Sequence, residues 1–260
     1  MPRDSFLASF RIALLAGVAG LAIAACSGGI TTSSITPDYS SLSQDEQQQN
    51  IADLAARYQA RPGDKRTAIN YAAALRTAGQ PAQAVAVLQQ ATLNHPQDVE
   101  ISIAYAKALA AQGNFEQALN VIDSSINPDS PSWQALNVKG AILDQMRRNT
   151  EARQVYNQAL LIAPNEAAIH ANLGLSYAMT GDLPAAEQHL RSAVAGSNAT
   201  SQIRQNLALV LGLQGRFDEA LAIYQAELPP DQVEANMAYI RSLLTQQDRW
   251  DLIAGTNLEG

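Results

Sequence analysis

A period of 34 residues runs through the middle of this chain and leaves few folds open to it. Gly79, Gly113, Arg147, Gly181 and Gly215 are spaced by that period. In the same phase a small residue recurs at Ala72, Ala106, Gly140, Gly174 and Ala208, with a large one three positions later at Leu75, Leu109, Leu143, Tyr177 and Leu211. After each glycine or arginine comes a second small column at Ala84, Ala118, Ala152, Ala186 and Ala220. A bulky column follows it at Leu88, Ile122, Tyr156, Leu190 and Tyr224. Spacings of three and four within each unit are helical, and the glycine marks a turn that needs positive φ. Each unit is therefore two short helices. They cross where side chains are small and fill the space around the crossing where they are large. Leucine at Gly174 or Ala186 should overpack that crossing, at a cost of roughly 1–3 kcal/mol.

This pattern resembles the tetratricopeptide repeat, whose helix–turn–helix unit has this length. The expected fold is all-α, a right-handed superhelical solenoid of about five repeats over residues 65–234 (65–98, 99–132, 133–166, 167–200 and 201–234). A capping helix is expected at each end, in 44–64 and 235–260, because a terminal repeat otherwise leaves an apolar face in water. Pro62-Gly63 stops the first of these, and Asp231 begins the last, with Val233, Met237, Ile240 and Leu244 on one face. The second repeat ends irregularly, with Ser125 in a small column and Asn127-Pro128-Asp129-Ser130-Pro131 after it. That implies either a change of superhelical pitch or a longer turn, and the longer turn is the reading favoured.

Before the repeats the chain has a different character. Arg3 and Arg11 flank an apolar run, Ile12–Ala25, too short to span a bilayer. The run ends in Ile23-Ala24-Ala25-Cys26, which resembles a bacterial lipobox. The resemblance implies a signal peptide over 1–25, lipid on Cys26, and sorting to the outer membrane, since Ser27 rather than Asp follows. Cys26 is the only cysteine, so no internal disulfide can form. Residues 26–43, rich in Ser, Thr and Gly, read as a flexible tether holding the repeats ~20–25 Å from the anchor. Net charge is −7 and becomes one unit more negative without the leader. With no basic cluster, nucleic acid and anionic lipid are poor partners.

No catalytic constellation is present, and neither an enzyme nor a small-molecule substrate is expected. Of the three histidines, His170 and His189 fall on the two helices of one repeat and can approach each other, but ordinary hairpin side chains are the reading taken, with no metal and no cofactor beyond the lipid. What remains is binding along the concave face, lined by the first helix of each repeat. The positions are Ile69, Ala73 and Arg76; Ile103, Lys107 and Ala110; Asn137, Ala141 and Asp144; Ala171, Leu175 and Ala178; Gln205, Leu209 and Gly212. Met179 and Leu213 lie beside the last two sets. Polar at first and apolar later, this groove suits an amphipathic or extended segment anchored on Leu175, Met179, Leu209 and Leu213. Alternatively, the superhelix or its last helix buries those residues. A carboxylate clamp for acidic tails would need Lys and Asn where Ile69, Ala73 and Ala171 stand.

Four segments carry a narrower resemblance: Gly79–Pro96, Asn172–Ala193, Arg204–Ala220 and Leu228–Leu244 with its proline pair. Together with the lipobox, they are similar to the TadD-type lipoproteins of tight-adherence (Flp) pilus systems. The resemblance implies an outer-membrane lipoprotein facing the periplasm that binds a pilus-assembly protein, the secretin foremost, in a pilotin-like role. A general periplasmic holdase, or an accessory subunit of a cell-wall enzyme, is the alternative.

Overall fold

The computed structural model describes the backbone of residues 43–256 and the side chains of 43–246. The leader, Cys26 and nearly all of the tether lie outside the described residues. Twelve helices and no strands make up the described chain: α1 Gln44–Ala60, α2 Lys65–Thr77, α3 Pro81–Asn94, α4 Val99–Ala111, α5 Phe115–Ser125, α6 Trp133–Gln145, α7 Asn149–Ile162, α8 Ala167–Ala178, α9 Leu183–Ala195, α10 Ser201–Leu213, α11 Phe217–Glu227 and α12 Pro230–Thr256. The pairs α2–α3, α4–α5, α6–α7, α8–α9 and α10–α11 are the five repeats. Each first helix also touches the first helix of the next repeat, and each second helix packs on the first helix that follows it. The result is the expected all-α repeat solenoid.

The periodic columns form its core. Ala84, Ala118, Ala152, Ala186 and Ala220 are fully buried, as are Leu88, Ile122, Tyr156 and Leu190. Where the small column is glycine the approach is closest. A Cβ on Gly174 would stand 2.8 Å from Leu190 Cγ and 3.0 Å from the Ala186 carbonyl oxygen; on Gly140 it would stand 2.4 Å from Tyr156 Cε1. Tyr177 breaks its column by being only partly buried.

Backbone groups at helix ends are satisfied with the same period. The first helices are capped by Asp64, Asp98, Ser132, Glu166 and Thr200, each of whose side chains accepts from an amide of its helix's first turn. At the turns inside the repeats, the amides of Gln80, Asn114, Arg148, Asp182 and Arg216 donate back to the carbonyls of Leu75, Leu109, Leu143, Tyr177 and Leu211. The residue between them takes positive φ, which is the Schellman arrangement. Four of these residues are glycine, and the fifth is Arg147 at φ 62°. A side chain in that region costs energy that glycine avoids. Arg147 is exposed, so Arg147→Gly should stabilise the fold by about 0.5–1 kcal/mol, read as a higher urea midpoint at unchanged slope.

The irregular end of the second repeat is a longer turn. α5 stops at Ser125, and Ile126–Ser132 fills the space before α6 begins in phase at Trp133. The last helix starts at Pro230, so residues 230–234, assigned from the period to the fifth repeat, belong to it instead. Proline is well suited to a first helical turn because its missing amide would have no partner there. At the other end, Leu54 is the buried residue of α1, and it lies one period before Leu88, as Pro62 does before Pro96. α1 is thus the second helix of an incomplete repeat.

Candidate concave-face site

Side-by-side packing of the first helices decides what the inner face offers. The positions at helix spacings of four and three fall where neighbouring first helices meet, and most of them are covered. Ile69, Ala73, Ile103, Lys107, Asn137, Ala141, Asp144, Ala171, Ala178, Met179 and Leu209 are all buried. Arg76, Ala110, Leu175, Gln205 and Leu213 remain half-exposed, as do Asn172 and Gln145 beside them. Gly212 is occluded by α12, whose Ile240 Cδ1 lies 2.6 Å from where its Cβ would be. The expected set therefore divides. Leu175, Gln205 and Leu213 can meet a partner, whereas Met179 and Leu209 are largely part of the solenoid's own packing.

Three polar residues expected on the groove surface are interior instead. Asp144 of α6 accepts from Ser176 Oγ of α8 at 2.8 Å, from Asn149 Nδ2 at 2.7 Å and from Tyr156 OH at 3.0 Å, both on α7. It joins the third repeat to the fourth. Burial pushes its carboxyl up to about 6, against the three hydrogen bonds that favour the charged form. Asn137 is fully buried; its Oδ1 accepts from Asn172 Nδ2 at 2.9 Å, and its own Nδ2 has no partner. Lys107 is buried too, and burial, then the Arg76 guanidinium, lowers its amine to about 7. Polar identity and helix angle assign these three to the inner face. Neither signal reports how tightly the next helix sits against it.

The polar contacts that sequence reasoning missed are those between repeats. Lys65 pairs with Asp98 and Glu100, Lys139 with Asp123, and Arg216 with Glu187. Their opposite charges were visible but scattered over helices whose mutual facing the period alone does not give. Half-exposed pairs of this kind are each worth little, and they set register more than stability. Among the described residues, no group of three or more His, Cys, Asp or Glu side chains converges to hold a metal ion.

Comparison with known proteins agrees with the architecture. Tetratricopeptide repeat models match residues 75–140, 137–201 and 200–226, one after another. An uncharacterized Sinorhizobium fredii protein, y4yS, is 38% identical over 107 residues, which are 41% of this chain and 58% of that one. The match thus spans little more than half the length of that curated relative. Among solved structures, the Thermus thermophilus tetratricopeptide protein TTC0263 is similar at 23% identity with a TM-score of 0.56, over 76% of this chain and 99% of that one. A tetratricopeptide repeat protein from Parabacteroides merdae is similar at 16% identity with a TM-score of 0.56, over 79% of this chain and 83% of that one. At these identities the structures speak to the fold alone. Together with the columns, the Schellman turns and the stacked hairpins, the three successive model matches show that this chain belongs to the tetratricopeptide-repeat family.

Proposed function

We propose that this protein is a lipid-anchored scaffold of the outer membrane that binds a component of a tight-adherence pilus machine along its solenoid, with the secretin as first candidate. Tetratricopeptide repeats serve generally as non-catalytic protein-binding scaffolds, and the observation that carries the reading is the inner face itself. Leu175 of the fourth repeat and Gln205 and Leu213 of the fifth are incompletely covered, a strip that is apolar at two of its three positions. Such a strip fits a partner segment that supplies a few apolar side chains. The lipobox-like Ile23–Cys26, the proline pair and the similarity to TadD-type lipoproteins support the location and the machine.

The strip has a direct test. Leu175→Asp with Leu213→Asp should abolish capture of the partner from envelope extracts while helicity and melting stay near those of the unaltered protein. These two leucines are the suitable pair because Leu209, being buried, would unfold the last repeat if charged. Undiminished capture by the folded double variant would remove the strip from consideration. The machine is tested by deleting the gene and following secretin abundance, location and multimer state, with complementation by the wild type and by Cys26→Ser. Loss of the multimer, restored only by the lipidated form, supports the scaffold reading. Normal secretin and normal pili would overturn it in favour of a general holdase.

A further inference from the structure

His170 on α8 and His189 on α9 stand nitrogen to nitrogen, with 3.4 Å between their Nδ1 atoms. The ring centres are 5.7 Å apart and the planes differ by 26°. The centre distance exceeds the nitrogen distance by what two ring radii supply. Both Nδ1 atoms therefore lie on the line of centres, and the rings meet edge to edge with their lone-pair directions opposed. The Nε2 of His170 lies 2.9 Å from the carbonyl oxygen of Pro164. A carbonyl only accepts, so this Nε2 carries the proton and leaves the Nδ1 of the neutral ring bare. An outer hydrogen bond of this kind fixes the tautomer and orientation of histidines that ligate metals. His189 is held by a different contact: its ring lies parallel to Tyr177 within 3° at 5.5 Å, and the Arg153 guanidinium is 4.7 Å from the centre of the Tyr177 ring.

Opposed lone pairs admit a shared proton or an ion that takes two ligands in line. Tetrahedral zinc fits poorly, because its ligands must converge at an angle and number four. No third His, Cys, Asp or Glu joins the pair among the described residues. The geometry points to His170 and His189 as a two-coordinate, linear site for a monovalent d10 cation, with Cu(I) as the biological ion and Ag(I) as its stable probe. One cation enters the pair between the two Nδ1 atoms, the hydrogen of His189 moves from Nδ1 to Nε2, both rings stay neutral with hydrogen on Nε2, and no electron is transferred. Metal–imidazole bonds of roughly 2 Å in line require the nitrogens to move apart by a few tenths of an ångström. Both side chains are only partly buried, so they have room to do so.

The test uses the full chain with Cys26→Ser, which removes the competing thiol, and titrates it with Ag(I) while histidine ring nitrogens are followed by NMR. One equivalent should shift the Nδ1 signals of His170 and His189 together and leave His95 unmoved. His170→Asn or His189→Asn should each lose that equivalent, and an equal concentration of Zn(II) should fail to displace it from the unaltered pair. Binding should weaken on acidification, because protons compete for the same lone pairs. The site is overturned if both asparagine variants bind silver undiminished, if zinc displaces it, or if the two Nδ1 signals stay put. The last measurement needs no histidine variant, so a misfolded mutant cannot leave the matter open.

Discussion

Gly140→Ala should destabilise the fold by about 1–3 kcal/mol, although alanine is the better helix former by about 1 kcal/mol. The opposing signs make the experiment informative. Propensity alone predicts a gain, so a lowered urea midpoint isolates the steric cost. That cost arises because Tyr156 lies across Gly140, with Cε1, Cδ1 and Cζ at 2.4, 2.7 and 2.7 Å from the added carbon. The ring is 1% exposed and its hydroxyl is tied to Asp144, one helical turn beyond Gly140, so it cannot swing aside without losing that bond. Elsewhere the same two columns hold Ala72 with Leu88 and Ala106 with Ile122. Gly140→Ala combined with Tyr156→Leu should accordingly recover the packing but not the bond to Asp144. A higher melting temperature for Gly140→Ala alone would show that the close approach does not govern this repeat.

Asp144→Ala should cost about 4 kcal/mol, because Tyr156, Asn149 and Ser176 would lose a buried acceptor together. Asp144→Asn separates charge from hydrogen bonding. The folded carboxyl, pushed up to about 6, lies above the ordinary unfolded value near 4. The folded state therefore binds this proton more tightly. Its contribution to stability is complete below about pH 4 and is lost as pH rises through about 6, a swing of roughly 2–3 kcal/mol. Carboxylates held low by arginine partners, such as Glu187 and Glu227, work in the opposite direction, so the informative quantity is wild type minus variant. Asp144→Asn should gain on wild type as pH rises from 4 to 7 and hold a constant difference above that. A difference independent of pH would show that Asp144 does not titrate in that range.

The columns could be read from sequence because a close helix crossing constrains size, and size is written in the residue names. Ala84 and its four counterparts needed no structure to be placed in the core. The caps Asp64, Asp98, Ser132, Glu166 and Thr200 share one phase too, but periodicity alone does not pick them out, because their role depends on backbone geometry that it does not display. The inner face was legible only in part. Helix angle assigns Leu175 and Asp144 alike to the concave side, yet one is half-exposed and the other holds two repeats together. The distinction lies in how closely the next first helix packs, as Asn172 and Ser176 of α8 do against Asn137 and Asp144 of α6. His170 and His189 could be assigned to one hairpin, but not nitrogen to nitrogen, because ring orientation depends on Pro164 and Tyr177.

A stacked-hairpin rod has no length built into its geometry; it ends only where its sequence refuses another layer. At the N-terminal end, α1 carries Leu54 in the bulky column, but Asn50 and Arg57 occupy the places that alanine holds at 84 and 91 in the repeat that follows. Asn50 already buries its amide nitrogen without a partner. A further helix laid there would have to strip water from a guanidinium and still leave that amide unmet. Residues of the first described layer thus disfavour another helix against them, and deleting or duplicating 34 residues within the interior would change the reach of the rod while leaving this layer as it is.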